Sequence, residues 1–199
     1  IADERLTWDE YGGTHPAPRG NRICADMIKG MLSSAWDEPI AATAASKAHD
    51  VPAQPIDPHS YVNGRFVNAD QIPPGRGWRV ATPDWENLPG QCRPRFRDLA
   101  LHIADEPGAE LSIEFSGTAV GAYVLAGPDA GRVEYSIDDG PLRTVELYHR
   151  FSKGLHYPRT VIFDADLEPG EHTVRLRVAE TRHKQSSGHA VRVLEFVVN

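Results

Sequence analysis

Three stretches in the second half of the chain alternate strictly between apolar and polar side chains, and this period of two restricts the fold more than any other feature. In the first stretch, Leu111, Ile113 and Phe115 alternate with serine and glutamate. The stretches 133–137 and 174–178 follow the same rule. Such alternation is typical of a strand with one buried and one solvated face. The pattern therefore predicts antiparallel sheets that bury one face each.

The stretch 118–125 differs because it is apolar on both faces, which predicts a central strand. Turn-forming residues separate the runs, at Asp138-Asp139-Gly140 and at Pro169-Gly170. Together these signals predict a mainly β fold, a jelly-roll-like β-sandwich over residues 59–199.

The first 37 residues have a different periodicity, with a loop followed by one amphipathic helix. We predict this helix from Asn21, as the N-cap, to about Ser34. Its apolar stripe consists of Ile23, Met27, Ile28, Met31 and Leu32. A single helix cannot bury its own stripe, so we expect the stripe to pack against another surface. Residues 38–58 are rich in alanine and proline and predict a linker.

The charge balance restricts the classes of partner. The 199 residues include 21 Lys and Arg against 28 Asp and Glu, which gives a formal net charge of −7. A nucleic-acid-binding protein needs a basic face to displace counterions from phosphate, and docking on an anionic membrane needs one as well. No apolar run approaches the roughly 20 residues that span a bilayer. We therefore expect a soluble protein that binds neither nucleic acid nor membrane.

The cysteines and the first residue say little about the compartment. Cys24 and Cys92 are too few for a disulfide scaffold or a zinc site, and they fall in segments assigned to different domains. The chain begins at Ile1 without a basic and then apolar signal segment, so we expect it to be processed or truncated. Removal of an upstream signal would make the protein secreted or periplasmic.

A family resemblance begins in the loop before the helix. The segment Tyr11-Gly12-Gly13-Thr14-His15-Pro16-Ala17-Pro18-Arg19-Gly20-Asn21 resembles the last catalytic block of SGNH/GDSL-type hydrolases. The segments 115–121, 126–131, 134–138, 154–159, 167–172 and 187–192 resemble the C-terminal sandwich that many bacterial members carry. The resemblance implies that residues 1–37 are the His loop and final helix of a flavodoxin-like α/β domain. That missing domain would supply the surface for the helix stripe.

The resemblance also implies a reaction. His15 would be the general base of a serine ester hydrolase, and no cofactor or metal is expected. The family has an Asp three residues before the histidine, where this chain has Gly12; Asp9, Glu10, a backbone carbonyl or an upstream acid would then orient the imidazole. The nucleophile and oxyanion hole would lie in an N-terminal catalytic portion, so this chain alone is expected to be inactive. The implied substrate is an ester, such as an acetylated carbohydrate.

Aromatic and histidine side chains in the sandwich are candidates for ligand contact. We single out Trp78, His156, Tyr157 and His189 as candidates for contact with a ligand, and a wider sugar-facing platform adds Trp85, Tyr148 and Phe151. Core packing is the alternative for each of these rings. Asp129, Asp138 and Asp139 could instead mark a calcium site, although ordinary turn chemistry also explains them. Two other functions stay open, a non-catalytic carbohydrate-binding module and a structural or interaction domain.

Overall fold

A computed structural model describes residues 6–37, 48, 50–54, 56–57 and 61–199. The chain divides into two compact units, residues 1–53 and residues 54–199. The predicted linker, residues 38–58, lies mostly outside the described residues. Both Cys24 and Cys92 are free thiols. Among the described residues, no helix is long and apolar enough to cross a membrane.

The first unit, over its described residues, contains the helices α1 (Trp8–Tyr11) and α2 (Pro18–Ala35). The prediction that α2 starts with Asn21 as its N-cap is wrong, because Ala17 is the N-cap and Pro18 is the first helical residue. Proline suits that position since its fixed φ is helical and its missing N–H would have no partner there. The Asn21 N–H already donates to the Ala17 carbonyl, 2.9 Å away, as a residue inside the helix does.

The apolar stripe of α2 is exposed rather than covered. Met27 is 70% exposed, Met31 63% and Ile28 55%, and Leu32 is 36% exposed. The expectation that this stripe packs against the missing α/β domain stays a prediction. Full burial of each such side chain would contribute roughly 1.5–3 kcal/mol of stability, so their exposure to water is unfavourable.

The second unit is a β-sandwich, as the sequence predicts. Its strands, in chain order, are β1 (Arg65–Asn68), β2 (Arg79–Ala81), β3 (Leu101–Ala104), β4 (Glu110–Gly117), β5 (Val120–Ala126), β6 (Arg132–Ile137), β7 (Arg143–Glu146), β8 (Tyr157–Asp164), β9 (Gly170–Val178) and β10 (Val191–Val198). Short 3-10 turns occupy Ala69–Gln71 and Pro94–Phe96. The three alternating stretches became β4, β6 and β9, and all of their pairings are antiparallel.

The strands form two sheets. The four-stranded sheet has the order β4-β9-β6-β7, and the other has the order β2-β3-β10-β5-β8. β1 joins this second sheet by pairing with the later half of β10, while β3 pairs with the earlier half. The inward side chains of both sheets form one core, including Leu111, Val174, Val124 and Phe196.

The central strand predicted from its apolar composition is β5. It lies between β10 and β8 and is covered on both faces. Val120, Ala122 and Val124 face the main core, whereas Leu125 belongs to a second cluster on the other side of the sheet. That cluster includes side chains of the segment between β2 and β3, such as Phe96.

Candidate functional site

The loop that carries His15 connects α1 to α2 and is shaped by glycine. Gly12 ends α1 with a φ of +103°, in the left-handed region, and a Cβ there would overlap the Ala17 nitrogen. The Ala17 N–H donates to the Tyr11 carbonyl at 2.9 Å, which closes the loop. The His15 side chain is exposed. The loop therefore presents an accessible imidazole between two helix ends.

The same geometry explains the departure from the family pattern at Gly12. An aspartate at this position would need the strained left-handed conformation and would overlap the Ala17 backbone. The loop as folded here therefore has no room for an aspartate at position 12.

The two nearby carboxylates are placed differently from a triad acid. The Glu10 carboxylate accepts hydrogen bonds from the Thr7 backbone N–H at 2.8 Å and the Thr7 hydroxyl at 3.0 Å. The Glu10 N–H in turn donates to the Thr7 hydroxyl oxygen at 3.1 Å, which completes a capping box for α1. The hydrogen bond from the Thr7 backbone contributes most, and that from the Thr7 side chain comes next. Together they hold the pKa of Glu10 below its usual value. Asp9 is exposed, and among the described residues no hydrogen bond joins His15 to Asp9 or Glu10. Their role as orienting acids stays a prediction.

In the sandwich, the folded chain brings together loops that are distant in sequence. Residues 126–131 lie against residues 186–190: the Gly131 N–H donates to the Ala190 carbonyl at 2.9 Å, and the Ala190 N–H donates to the Asp129 carbonyl at 2.8 Å. The buried Ser186 hydroxyl donates to the Ala130 carbonyl at 2.8 Å. Two of the segments that carry the family resemblance thus form one hydrogen-bonded corner.

A buried ion pair fastens this corner. Arg192, which is 2% exposed, donates from Nη1 and Nη2 to the two carboxylate oxygens of Asp129, at 2.8 and 2.7 Å. Burial alone would raise the pKa of Asp129, but the hydrogen bonds and charge of Arg192 outweigh it and hold that pKa below its usual value. A fork of this kind fixes orientation as well as charge. Asp129 is thus engaged by a guanidinium rather than open to a cation.

Asp138, which was also considered for calcium, is likewise bonded within the protein. Asp138 accepts hydrogen bonds from the Thr173 N–H at 2.9 Å and from the ring of His172 at 2.8 Å. Within the described part of the chain, no three His, Cys, Asp or Glu side chains cluster as metal ligands.

His156 lies fully buried under the same corner. Its ring packs edge-on against Trp85, with centroids 4.8 Å apart, and its backbone N–H donates to the Gln91 carbonyl at 2.8 Å. Burial first, and then the positive charge of Arg192, lower its pKa to about 4. A Cβ on Gly127 would overlap the His156 ring, so only glycine fits there. His156 is therefore a neutral side chain that supports the corner from inside.

A partly exposed aromatic patch consists of His149 and Phe151, on the segment between β7 and β8, and Tyr157, the first residue of β8. The His149 and Tyr157 rings stack at 4.6 Å with 13° between their planes, and Phe151 lies 5.2 Å from Tyr157. Phe151 is 48% exposed, and the Arg150 guanidinium sits 4.7 Å above its ring. The exposed part of Phe151 can contact an apolar face of a ligand, whereas His149 and Tyr157 each turn one ring face to the other.

The structure divides the rings that the sequence grouped as one platform. Phe151 and Tyr157 are in the aromatic patch, but Tyr148 is buried and stacks on His183 at 4.7 Å. Sequence reasoning missed His149, and no alternating pattern indicated it, because Leu147 and Tyr148 before it are both buried.

The remaining predicted contacts lie elsewhere. Trp78 is 6% exposed and belongs to the main core, so like His156 it offers no ring face to solvent. Trp85 donates its indole N–H to the Arg97 carbonyl at 3.0 Å. His189 is partly exposed, with Nδ1 3.2 Å from the Ala179 carbonyl oxygen. Ligand contact by Trp78, His156, Tyr157 and His189 stays a prediction, and by placement Tyr157 and His189 are the accessible members.

Solved structures provide the comparison for this arrangement. No protein-family model matches the sequence, and no curated protein matches it. A two-domain esterase (CEX) active on acetylated mannans, co-crystallised with mannopentaose, is similar with a TM-score of 0.66 at 16% identity, over 100% of this chain and 50% of that chain. A second structure of a two-domain esterase (CEX) active on acetylated mannans gives 0.64 at 15% identity, over 100% and 52%.

These structural neighbours are carbohydrate esterases, and the present chain spans about half the length of their chains. At such identities the likeness is one of fold. It covers the whole of this chain, and so includes the helical unit as well as the sandwich.

Proposed function

We propose that this chain is the C-terminal part of a serine ester hydrolase of the SGNH type that acts on acetylated carbohydrate. The observation that carries the proposal is the fold likeness over the full length of the chain, from the His15 loop to the last strand, to half of an esterase active on acetylated mannans. A likeness limited to the sandwich would have supported a carbohydrate module of any enzyme.

In this proposal His15 is the general base. An N-terminal catalytic portion supplies the serine and the oxyanion donors. The serine oxygen attacks the ester carbonyl as His15 takes its proton, and His15 then gives that proton to the departing alcohol. Water repeats the sequence on the acyl-enzyme. The exposed ring of His15, in a loop closed by Gly12, suits a base that must meet a nucleophile from another segment.

The exposed stripe on α2 supports the same arrangement. Met27, Ile28, Met31 and Leu32 form an apolar face in the second half of α2, on the helical unit that also carries the His15 loop. Packing of the catalytic portion on this face would bury the stripe and bring the serine toward His15. The aromatic patch would then hold a sugar ring of the polymer for the esterase.

The test compares the 199-residue chain with the polypeptide extended upstream in its reading frame. We expect the chain alone to leave p-nitrophenyl acetate at the buffer rate. The extended protein should release acetate from acetylated mannan, and His15→Ala should lower kcat by about 10⁶-fold, as loss of a triad histidine does. His183→Ala is the matched control and should keep its activity.

Two outcomes would contradict the proposal. One is turnover by the 199-residue chain alone that His15→Ala abolishes. The other is an extended protein whose esterase activity survives His15→Ala.

The second candidate function is a non-catalytic carbohydrate-binding module, which the partly exposed aromatic patch favours. The variant Phe151→Ala in the extended protein distinguishes this function from the esterase function. If binding is the main task, this change weakens retention on mannan while p-nitrophenyl acetate turnover is absent from both proteins.

A further inference from the structure

A cleft of about 530 Å³ lies on the outer face of the four-stranded sheet. This volume falls within the roughly 300–1,000 Å³ of small-molecule sites. The cleft is distinct from the aromatic patch, since strands β4, β9 and β6 form its floor rather than the segment before β8. Arginine, glutamate and serine side chains line it together with apolar surface, which includes Leu142, 61% exposed.

Strand register places two rows of side chains across this floor. In the first row Glu110 of β4 and Glu134 of β6 flank Arg177 of β9. The second row is one step along, where two serines, Ser112 of β4 and Ser136 of β6, flank Arg175 of β9.

The charge in the first row is satisfied within the protein. Arg177 donates from Nε and Nη2 to one carboxylate oxygen of Glu134, with the Nε bond at 2.8 Å. The other carboxylate, Glu110, forms an ion pair with Arg76 at 3.0 Å. The carboxylates of Glu134 and Glu110 can still accept hydrogen bonds through their remaining lone pairs.

Arg175 in the second row has a different set of partners. Its Nη1 donates to the Asp138 backbone carbonyl at 2.7 Å, which holds the side chain in place without neutralising it. The carboxylate paired with it, that of Asp139, is 4.0 Å away and its side chain is fully exposed to solvent. The strand neighbours of Arg175 carry only small hydroxyls. Arg175 is therefore a positioned guanidinium in a cleft, with N–H donors left for a ligand, although the carboxylates of Asp138 and Asp139 offset part of its charge.

We propose that this cleft binds a saccharide that carries a carboxylate, as a uronic acid unit does. Arg175 would hold the carboxylate, because a guanidinium fork matches its two oxygens. The sugar hydroxyls would donate to Glu134 and Glu110 and exchange hydrogen bonds with the two serines. The two glutamates disfavour polyanions with closely spaced charges, such as nucleic acid, whereas one carboxylate per ring among hydroxyls fits this lining. The proposal does not depend on the esterase function.

The test uses the 199-residue chain and isothermal titration with trigalacturonic acid. The control ligand is its fully methyl-esterified form, in which the same rings carry no charge. We expect binding of the acid and at least about tenfold weaker binding of the ester, since the ester keeps the rings but loses the charge-assisted hydrogen bonds to Arg175. Added salt should weaken binding because the pair is partly exposed.

Arg175→Gln should lower the affinity for the acid at least about tenfold, while the exposed Arg182→Gln, outside the cleft, should leave it unchanged. Arg175→Lys keeps the charge without the fork and should fall between them. Equal melting temperatures of the variants establish that they fold. Equal affinity for acid and ester, equal loss in the Arg175→Gln and Arg182→Gln proteins, or no heat of binding at millimolar acid would overturn the proposal.

Discussion

His156 illustrates how one side chain can combine a structural role with sensitivity to acid. It is buried beneath the corner formed by Gly127 and the Asp129–Arg192 pair, and its pKa is lowered from 6.5 to about 4. The folded protein therefore keeps it neutral at pH values where the unfolded chain already binds a proton. Stability linked to this group is intact above pH 6.5 and is lost as the pH falls toward 4.

The first prediction follows from that shift. On acidification from pH 7.5 to pH 5, His156 should lower the free energy of unfolding by about 2 kcal/mol. The reason is that pH 5 lies about 1.5 units below the pKa of histidine in the unfolded chain. Urea denaturation of the wild-type chain and of His156→Gln at both pH values measures it. The variant should lose less stability on acidification, whatever its stability at the higher pH.

His172 is the matched control, with the opposite sign. Its hydrogen bond to Asp138 is the main cause that raises its pKa above 6.5, so its contribution is present at low pH and lost as the pH rises through the raised value. His172→Gln should therefore lose more stability on acidification than wild type does. Equal pH dependence of all three proteins would contradict both assignments.

At the residue scale, sequence could rank candidates but not choose their surroundings. Trp78 and Tyr157 are both aromatic, yet one entered the core and the other the aromatic patch. Tertiary packing decides this, because Trp78 packs edge-on against His102, a residue far away in sequence. His156 was singled out as a ligand contact, whereas its burial depends on Gly127 and Trp85, which local pattern does not bring to it.

Among the secondary-structure elements, the connection between α1 and α2 depends on glycine at position 12. Gly12 has a left-handed φ and no space for a Cβ, whereas a Cβ added to Gly30, inside α2, would have open space for 4 Å around it. The two glycines thus make opposite predictions for the same substitution within one helical unit.

Gly12→Ala should destabilise the helical unit by about 1–3 kcal/mol or more, through strain and the clash with the Ala17 backbone. Gly30→Ala should stabilise α2 by about 0.5–1 kcal/mol, because alanine loses less backbone entropy in a helix. Amide hydrogen exchange of α2 measures both in the full chain, with the sandwich amides as an internal reference. Faster exchange in the Gly30→Ala protein, or unchanged exchange in the Gly12→Ala protein, would count against this account.

The sequence predicted secondary structure correctly where burial follows a local period, as in β4. It was less accurate for the start of α2, and it does not specify the surroundings of the apolar stripe. The alternation in β4 matches its buried and exposed positions along 110–116. The start of α2 was misplaced because a polar Asn21 resembled an N-cap, while Pro18 had already fixed the first helical turn. Its stripe, correctly recognised as apolar, is exposed because a pattern predicts a face but not what covers it.

For the whole molecule, the buried core lies in the second unit. Every buried residue of the two core clusters falls between Ile72 and Val198, and they include the inward faces of both sheets. We therefore expect residues 54–199 to fold without the helical unit, with a melting temperature within a few degrees of the full chain. Calorimetry and a dispersed amide NMR spectrum are the measurements. Absence of a cooperative transition would place essential packing in the helical unit.

The sandwich as a class was readable from the sequence, because alternation and turns repeat along the chain. The partition of strands between sheets was not, since it depends on long-range pairing. β1 and β3 follow one another along the same edge of β10, and no local signal indicates this. The catalytic role of His15 rests on resemblance and fold likeness and stays a proposal.

The position of β10 has a consequence for synthesis. This strand follows in sequence all three of the strands it pairs with, β1, β3 and β5. While the ribosome is still translating, those neighbours emerge with open hydrogen-bonding edges that only β10 can fill. Pairings over such long separations form slowly, and unpaired edges invite aggregation. We therefore expect the nascent chain to depend on chaperones until β10 has left the ribosomal tunnel.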